Sequence, residues 1–189
     1  MLPGPGRLER LALQIIAPGR GRRRSRDAVG VSRGVSSAEA PTFTAFGGPA
    51  RYLQGPGMVR QLLPTVEEFG ATRAVLVADA FVHGLLCELV PALSELGWCE
   101  FGGECTEEEV ARTAEYCLAQ GCDLVIGCGG GKAIDTAKGA QIALGCPIFI
   151  VPTVAATDAP TSRVVVLYTA EHALAGTQAM RANPDVVLV

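Results

Sequence analysis

Three short apolar runs, each ending at a polar or glycine-rich corner, limit the fold of this chain more than any other feature. They are "RAVLVAD" (73–79), "DLVIGC" (123–128) and "CPIFIVPT" (146–153). Each has the length of a strand, and the first is rich in β-branched residues. The stretches between them have helical spacing: residues 80–96, with Pro91 inside, residues 106 to about 120, and residues 132–144. Upstream, "RYLQG" (51–55) reads as a short strand. Residues 57–69 carry Met58, Val59, Leu62, Leu63, Val66 and Phe69 at helical spacing, with Pro64 expected to kink or split that helix. Thr106 and Glu109 have the spacing of a reciprocal capping box. "RVVVLYT" (163–169) and "DVVLV" (185–189) read as later strands.

Strand alternating with helix implies an α/β, Rossmann-like fold: a parallel sheet with helices on both faces. Ligands on such sheets bind at the carboxyl ends of the strands. Two corners fall there, "GGGK" (129–132) and "PTVAATDAPTS" (152–162). Glycines let an anion approach the backbone, a helix N-terminus offers N–H groups to it, and Lys132 adds a positive charge. Neither common phosphate fingerprint fits. A P-loop ending at Lys132 would have Ile126 as its first glycine and Ala133 in place of Ser or Thr. A G-x-G-x-x-G motif starting at Gly127 would end on Lys132. An anion site and a tight turn that merely needs small residues both remain open. Asp79, ending its strand, has two readings as well: a helix cap, or a carboxylate for a ribose hydroxyl.

Charge is uneven along the 189 residues. Residues 1–40 hold eight arginines against three acids, a balance of +5, and the remainder carries −8. The acidic part has no basic footprint for nucleic acid. No apolar run reaches the roughly 20 residues of a membrane span. Residues 1–45, rich in Gly, Arg, Ser and Pro, are expected to be a disordered leader, with residues 46–189 forming the domain. Such a leader has the composition of an organelle transit peptide and equally that of a plain extension or a misassigned start. The chain is accordingly expected in the cytoplasm, or in an organelle if the leader directs it there. The seven cysteines form no CxxC pair and are expected as reduced, mostly packed thiols. The two histidines, His83 and His172, lack metal-ligand spacing.

The ordered blocks "RYLQG", "VADAFV", "FGGEC", "GGGKAIDTAK", "PIFIVPTVAATDAPTS", "LYT" and "NPDVVLV" resemble glycerol dehydrogenases, members of the iron-containing alcohol dehydrogenase superfamily. The resemblance covers residues 49–189 and implies a domain that binds NAD. It puts the diphosphate turn on Gly130, Gly131, Lys132 and Asp135, and the adenosine-ribose carboxylate on Asp79. Thr153, Thr157, Ser162, Val164 and Tyr168 fall on the segment lining the adenine and nicotinamide sites. Asp158 falls beside the substrate hydroxyls, as the one residue assigned to the catalytic side. The implied reaction is oxidation of glycerol, or a related vicinal diol, to dihydroxyacetone, with zinc polarising the alcohol. The implied partners are NAD and a small polyol, with a homo-oligomer as a further possibility, and neither nucleic acid nor membrane.

Three departures shape the expectation. Ala156 stands where the family has a serine. The stretch between Gly97 and Phe101 is several residues short, which predicts a missing or badly paired strand. The family's metal ligands lie in a helical C-terminal domain that this sequence does not contain, so the chain is expected to bind NAD but to turn over little or no glycerol. The alternative is a non-catalytic NAD-binding or interaction module, or the product of a truncated gene.

Overall fold

The computed structural model of the chain describes residues 46–189. The leader expected over residues 1–45 lies outside the described residues.

Six strands form one parallel sheet: β1 (Arg51–Leu53), β2 (Ala74–Ala78), β3 (Gly97–Glu100), β4 (Leu124–Gly129), β5 (Ile148–Pro152) and β8 (Val186–Leu188). Their order is β1-β8-β5-β4-β2-β3, and every pairing is parallel. The helices are α1 (Leu62–Phe69), α2 (Ala80–Leu89), α3 (Glu107–Ala119) and α4 (Gly131–Leu144). The central strands alternate between two buried faces. Leu76, Ile126, Phe149 and Leu188 pack with Leu62 and Val66 of α1 and Leu86 of α2. Val75, Val125, Ile150 and Val187 pack with Cys117 of α3 and with Ile134 and Ala137 of α4. Burial on both sides explains why these strands read as unbroken apolar runs. Helices α3 and α4 cross at Gly139, where a Cβ would lie 2.7 Å from a Val110 methyl, so only glycine admits that approach.

The order reverses between β2 and β4. The chain leaves β2 for the edge strand β3, then returns across β2 to β4. In doubly wound sheets, ligands bind at the carboxyl-end crevice of such a reversal. Asp79 follows β2 and the glycine corner follows β4, so these two flank it, and the 152–162 corner follows the neighbouring strand β5.

Several expectations need correction. The shortened stretch after residue 96 does not lose its strand: β3 has four residues and pairs with β2 from Val75↔Gly97 to Ala78↔Glu100. A short 3-10 turn, Pro91–Glu95, leads into it. The second proline effect is sharper than a kink. Val90 leaves helical geometry, as the residue before proline tends to, and α2 stops at Leu89. Pro64 splits nothing. It occupies the first turn of α1, where its missing N–H would have had no helical partner, and the break precedes it, between the 3-10 turn Met58–Gln61 and Leu62.

The capping box is half formed. Thr106 Oγ1 accepts from Glu109 N–H at 3.1 Å. The Glu109 carboxylate turns instead to Gly102 N–H, at 2.7 Å, and to Arg112. Of the later strands, β8 enters the sheet between β1 and β5, but β6 (Val164–Tyr168) does not. It forms an antiparallel ribbon with β7 (Leu174–Ala179) that packs on α3 and α4 through Val165 and Leu167.

Candidate functional site

The glycine corner is the junction of β4 and α4. Gly129 has φ 136, a conformation that favours glycine, and Gly130 is the N-cap of α4. No side chain caps that N-terminus, so the first-turn N–H groups are left without a side-chain acceptor. A Cβ on Gly131 would press on Thr157 Oγ1 at 3.2 Å, whereas one on Gly130 would meet nothing nearer than 4.0 Å. An uncapped fourteen-residue helix behind a turn open at Gly130 fits an anionic group such as a diphosphate.

Beside this turn lies a cavity of about 430 Å³. It brings together Gly131, Lys132 and Asp135 of α4 with Thr157, Asp158 and Ser162 of the loop after β5. Val164 and Tyr168 of β6 complete the predicted set there. Gly130, Thr153 and Asp79 lie outside the lining. Thr153 remains next to the turn, its N–H donating to Gly129 O at 3.1 Å. Asp79 caps α2, its Oδ1 accepting from Val82 N–H at 2.8 Å. Its charge is felt at the end of β4, where burial first and Asp79 second push the Cys128 thiol up to about 12. A second cavity, of about 480 Å³, opens at the far end of α4 around Gln141, Cys146 and Arg181 and holds none of the predicted residues.

Two of the charged residues lining the cavity, Lys132 and Asp135, are already paired. Lys132 Nζ lies 2.5 Å from Glu104 Oε2 and 5.1 Å from the centre of the Tyr168 ring. Asp135, placed by resemblance on the diphosphate turn, has both oxygens engaged: Oδ1 with Lys138 Nζ at 3.1 Å, Oδ2 with Val166 N–H at 3.0 Å. Lys138 also donates to Val164 O at 2.9 Å, so the pair ties α4 to β6. Burial raises the Asp135 carboxyl and lowers the Lys138 ammonium, while their mutual attraction opposes both shifts. Asp158 is exposed on the loop, its carbonyl accepting from the Thr161 and Ser162 N–H groups. Ala156, where the family has serine, is exposed on the same loop.

Three participants escaped sequence reading as members of the site: Glu104, His172 and Lys138. Glu104 was visible only as a letter of "FGGEC", because its partners lie 28 and 68 residues away. Lys138 carried a usable signal, the i,i+3 spacing from Asp135.

The donor set does not fit a catalytic metal. His83 stacks on Trp98, with ring centres 3.9 Å apart, and contacts Cys87. His172 is engaged with Glu104. The described cysteines are all free thiols, and among the described residues no group of three or more His, Cys, Asp or Glu is placed to hold a metal ion. Among the described residues no helix is long and apolar enough to cross a membrane.

The fold is shared with known proteins. A glycerol dehydrogenase of Thermotoga maritima is 40% identical over 152 residues, covering 78% of this chain and 41% of its own length. A glycolaldehyde reductase of Halobacterium salinarum is 35% identical over 77% of this chain and 41% of its own length. The crystal structure of a probable glycerol dehydrogenase from Sinorhizobium meliloti superposes with a TM-score of 0.69 at 36% identity, covering 76% of this chain and 40% of that one. The chain thus spans about two fifths of the length of these relatives. With residues 49–189 matching the model of the iron-containing alcohol dehydrogenases, the chain belongs to that family.

Proposed function

We propose that residues 46–189 are the cofactor-holding part of a dehydrogenase that oxidises glycerol or a related vicinal diol to dihydroxyacetone or the corresponding ketone, with NAD as acceptor. The observation that carries this reading is the uncapped N-terminus of α4 behind its glycine turn, at the reversal point of the sheet. Gly130, Gly131 and Lys132 would hold the diphosphate, and Asp79 the adenosine ribose. Thr153, Thr157, Ser162, Val164 and Tyr168 would line the adenine and nicotinamide sides, and Asp158 would stand near the substrate hydroxyls. Asp135 supports this set from behind, through Lys138, rather than by touching phosphate. Bound NAD supplies the hydride acceptor. The relatives' names speak for a small substrate with neighbouring oxygens, since glycerol and glycolaldehyde share that pattern. Zinc is implied by the family, but the residues described do not fit it. The composition of the sequence is the ground for placing the chain in the cytoplasm, or in an organelle if the leader directs it there.

The reading is tested by titrating the 189-residue chain with NAD, then assaying it with zinc, NAD and glycerol. The expected result is saturable NAD binding with no measurable NADH formation. Steady glycerol oxidation would contradict the view that the catalytic metal is held elsewhere. Absence of NAD binding by the folded chain would remove the cofactor assignment.

A further inference from the structure

A carboxylate from the loop between β3 and α3 reaches the glycine turn. Glu104 is 12% exposed. Its Oε1 accepts from its neighbour Cys105 N–H at 3.1 Å, and its Oε2 is shared by Lys132 Nζ, at 2.5 Å, and His172 Nδ1. His172 is in the β6–β7 turn with φ 64, a left-handed conformation in which histidine is enriched among non-glycine residues, and its side chain is 71% exposed. One carboxylate oxygen therefore faces two groups able to carry positive charge. Although burial works to raise the Glu104 carboxyl, the hydrogen bonds from Lys132, His172 and Cys105 N–H outweigh it and hold it below the usual carboxylate range.

Lys132 cannot pair fully with both a phosphate and Glu104, and a largely enclosed carboxylate that loses its cation is left underpaired. We propose that Glu104 is a positioning residue, holding Lys132 beside the open turn and yielding it to the ligand's phosphate, with His172, already on the same oxygen, left as its one side-chain partner. This deepens the cofactor reading and rests on it. The ligand class is a dinucleotide diphosphate. The exchange is proton-linked: as Lys132 leaves Glu104, one proton passes from solvent to the imidazole, and the imidazolium becomes the counter-ion of Glu104. The groups facing His172 are Glu104 from the β3–α3 loop, Lys132 from α4 across the shared oxygen, and Glu171 beside it in the turn.

A group that gains basicity in the complex strengthens binding at low pH. Its contribution is lost as pH rises through the bound-state value. NAD has no group of its own that titrates near neutral pH. Calorimetric titration of the chain with NAD, from about pH 5.5 to 8.5 and in buffers of different ionisation enthalpy, reads the exchange directly. The affinity is expected to fall about 3- to 10-fold across that range, with net proton uptake on binding. His172→Gln, at an exposed site, is expected to bind NAD with a flat profile. Glu104→Gln is expected to flatten it too, and adenosine, which lacks phosphate, to show none. The same slope in H172Q, or a flat profile in the unaltered chain with NAD bound, would overturn the exchange alone. Failure of NAD to bind at any pH would overturn the cofactor reading along with it.

Discussion

Replacing Lys138 by methionine is expected to lower the unfolding free energy by about 3–5 kcal/mol, the cost of leaving a buried carboxylate without its partner. The Lys138 side chain is 0% exposed and that of Asp135 is 8% exposed, so water cannot compensate the loss. The ammonium also holds Val164 O, and Asp135 holds Val166 N–H, so the change strikes the seam between α4 and β6 that walls the cavity. Urea unfolding followed by circular dichroism measures it. The double variant Asp135→Leu, Lys138→Met is expected to regain part of the loss, because removing both charges removes their desolvation cost while Val164 O and Val166 N–H lose their side-chain partners. A single-variant loss below about 1 kcal/mol, the scale of an exposed pair, would contradict the reading of a buried structural pair.

The second large effect concerns binding. Lys132→Gln is expected to weaken NAD binding about 10- to 100-fold, the range set by losing a charged partner of a phosphate, with adenosine binding unchanged. Glutamine keeps a polar chain but not the charge. Lys132 is 43% exposed in its side chain, so folding should survive and the loss be attributable to the site. Calorimetry with NAD and adenosine on both proteins reads the difference. Equal NAD affinity in the variant would show that Lys132 does not meet the diphosphate.

What sequence reading recovered follows from which forces are local. β2, β4 and β5 were legible because a strand buried on both faces leaves an unbroken apolar run. The turn at Gly129–Lys132 was legible because steric demand writes itself as glycine. β7 was not: Leu174–Ala179 reads "LAGTQA", with one β-branched residue, and it forms by pairing with β6 rather than from its own propensity. The survival of β3 was missed because strand length depends on its partner β2, not on the distance between motif blocks. In the site, resemblance placed Asp135 on the phosphate side, yet Lys138 and a backbone N–H from β6 claim its oxygens. Helical spacing could have paired these two side chains, but only the docked ribbon shows which way the carboxylate faces. Glu104 and His172 meet through tertiary structure alone.

The central claim is that α4 and its glycine turn hold the diphosphate of NAD. Residue-resolved NMR of the isotope-labelled chain during NAD titration tests it most directly. The largest amide shifts are expected on Gly130, Gly131 and Lys132, with further shifts at Asp79 and through the loop from Thr153 to Ser162. Shifts confined to the opposite cavity around Gln141 and Arg181, or no shifts at saturating NAD in a folded sample, would contradict it.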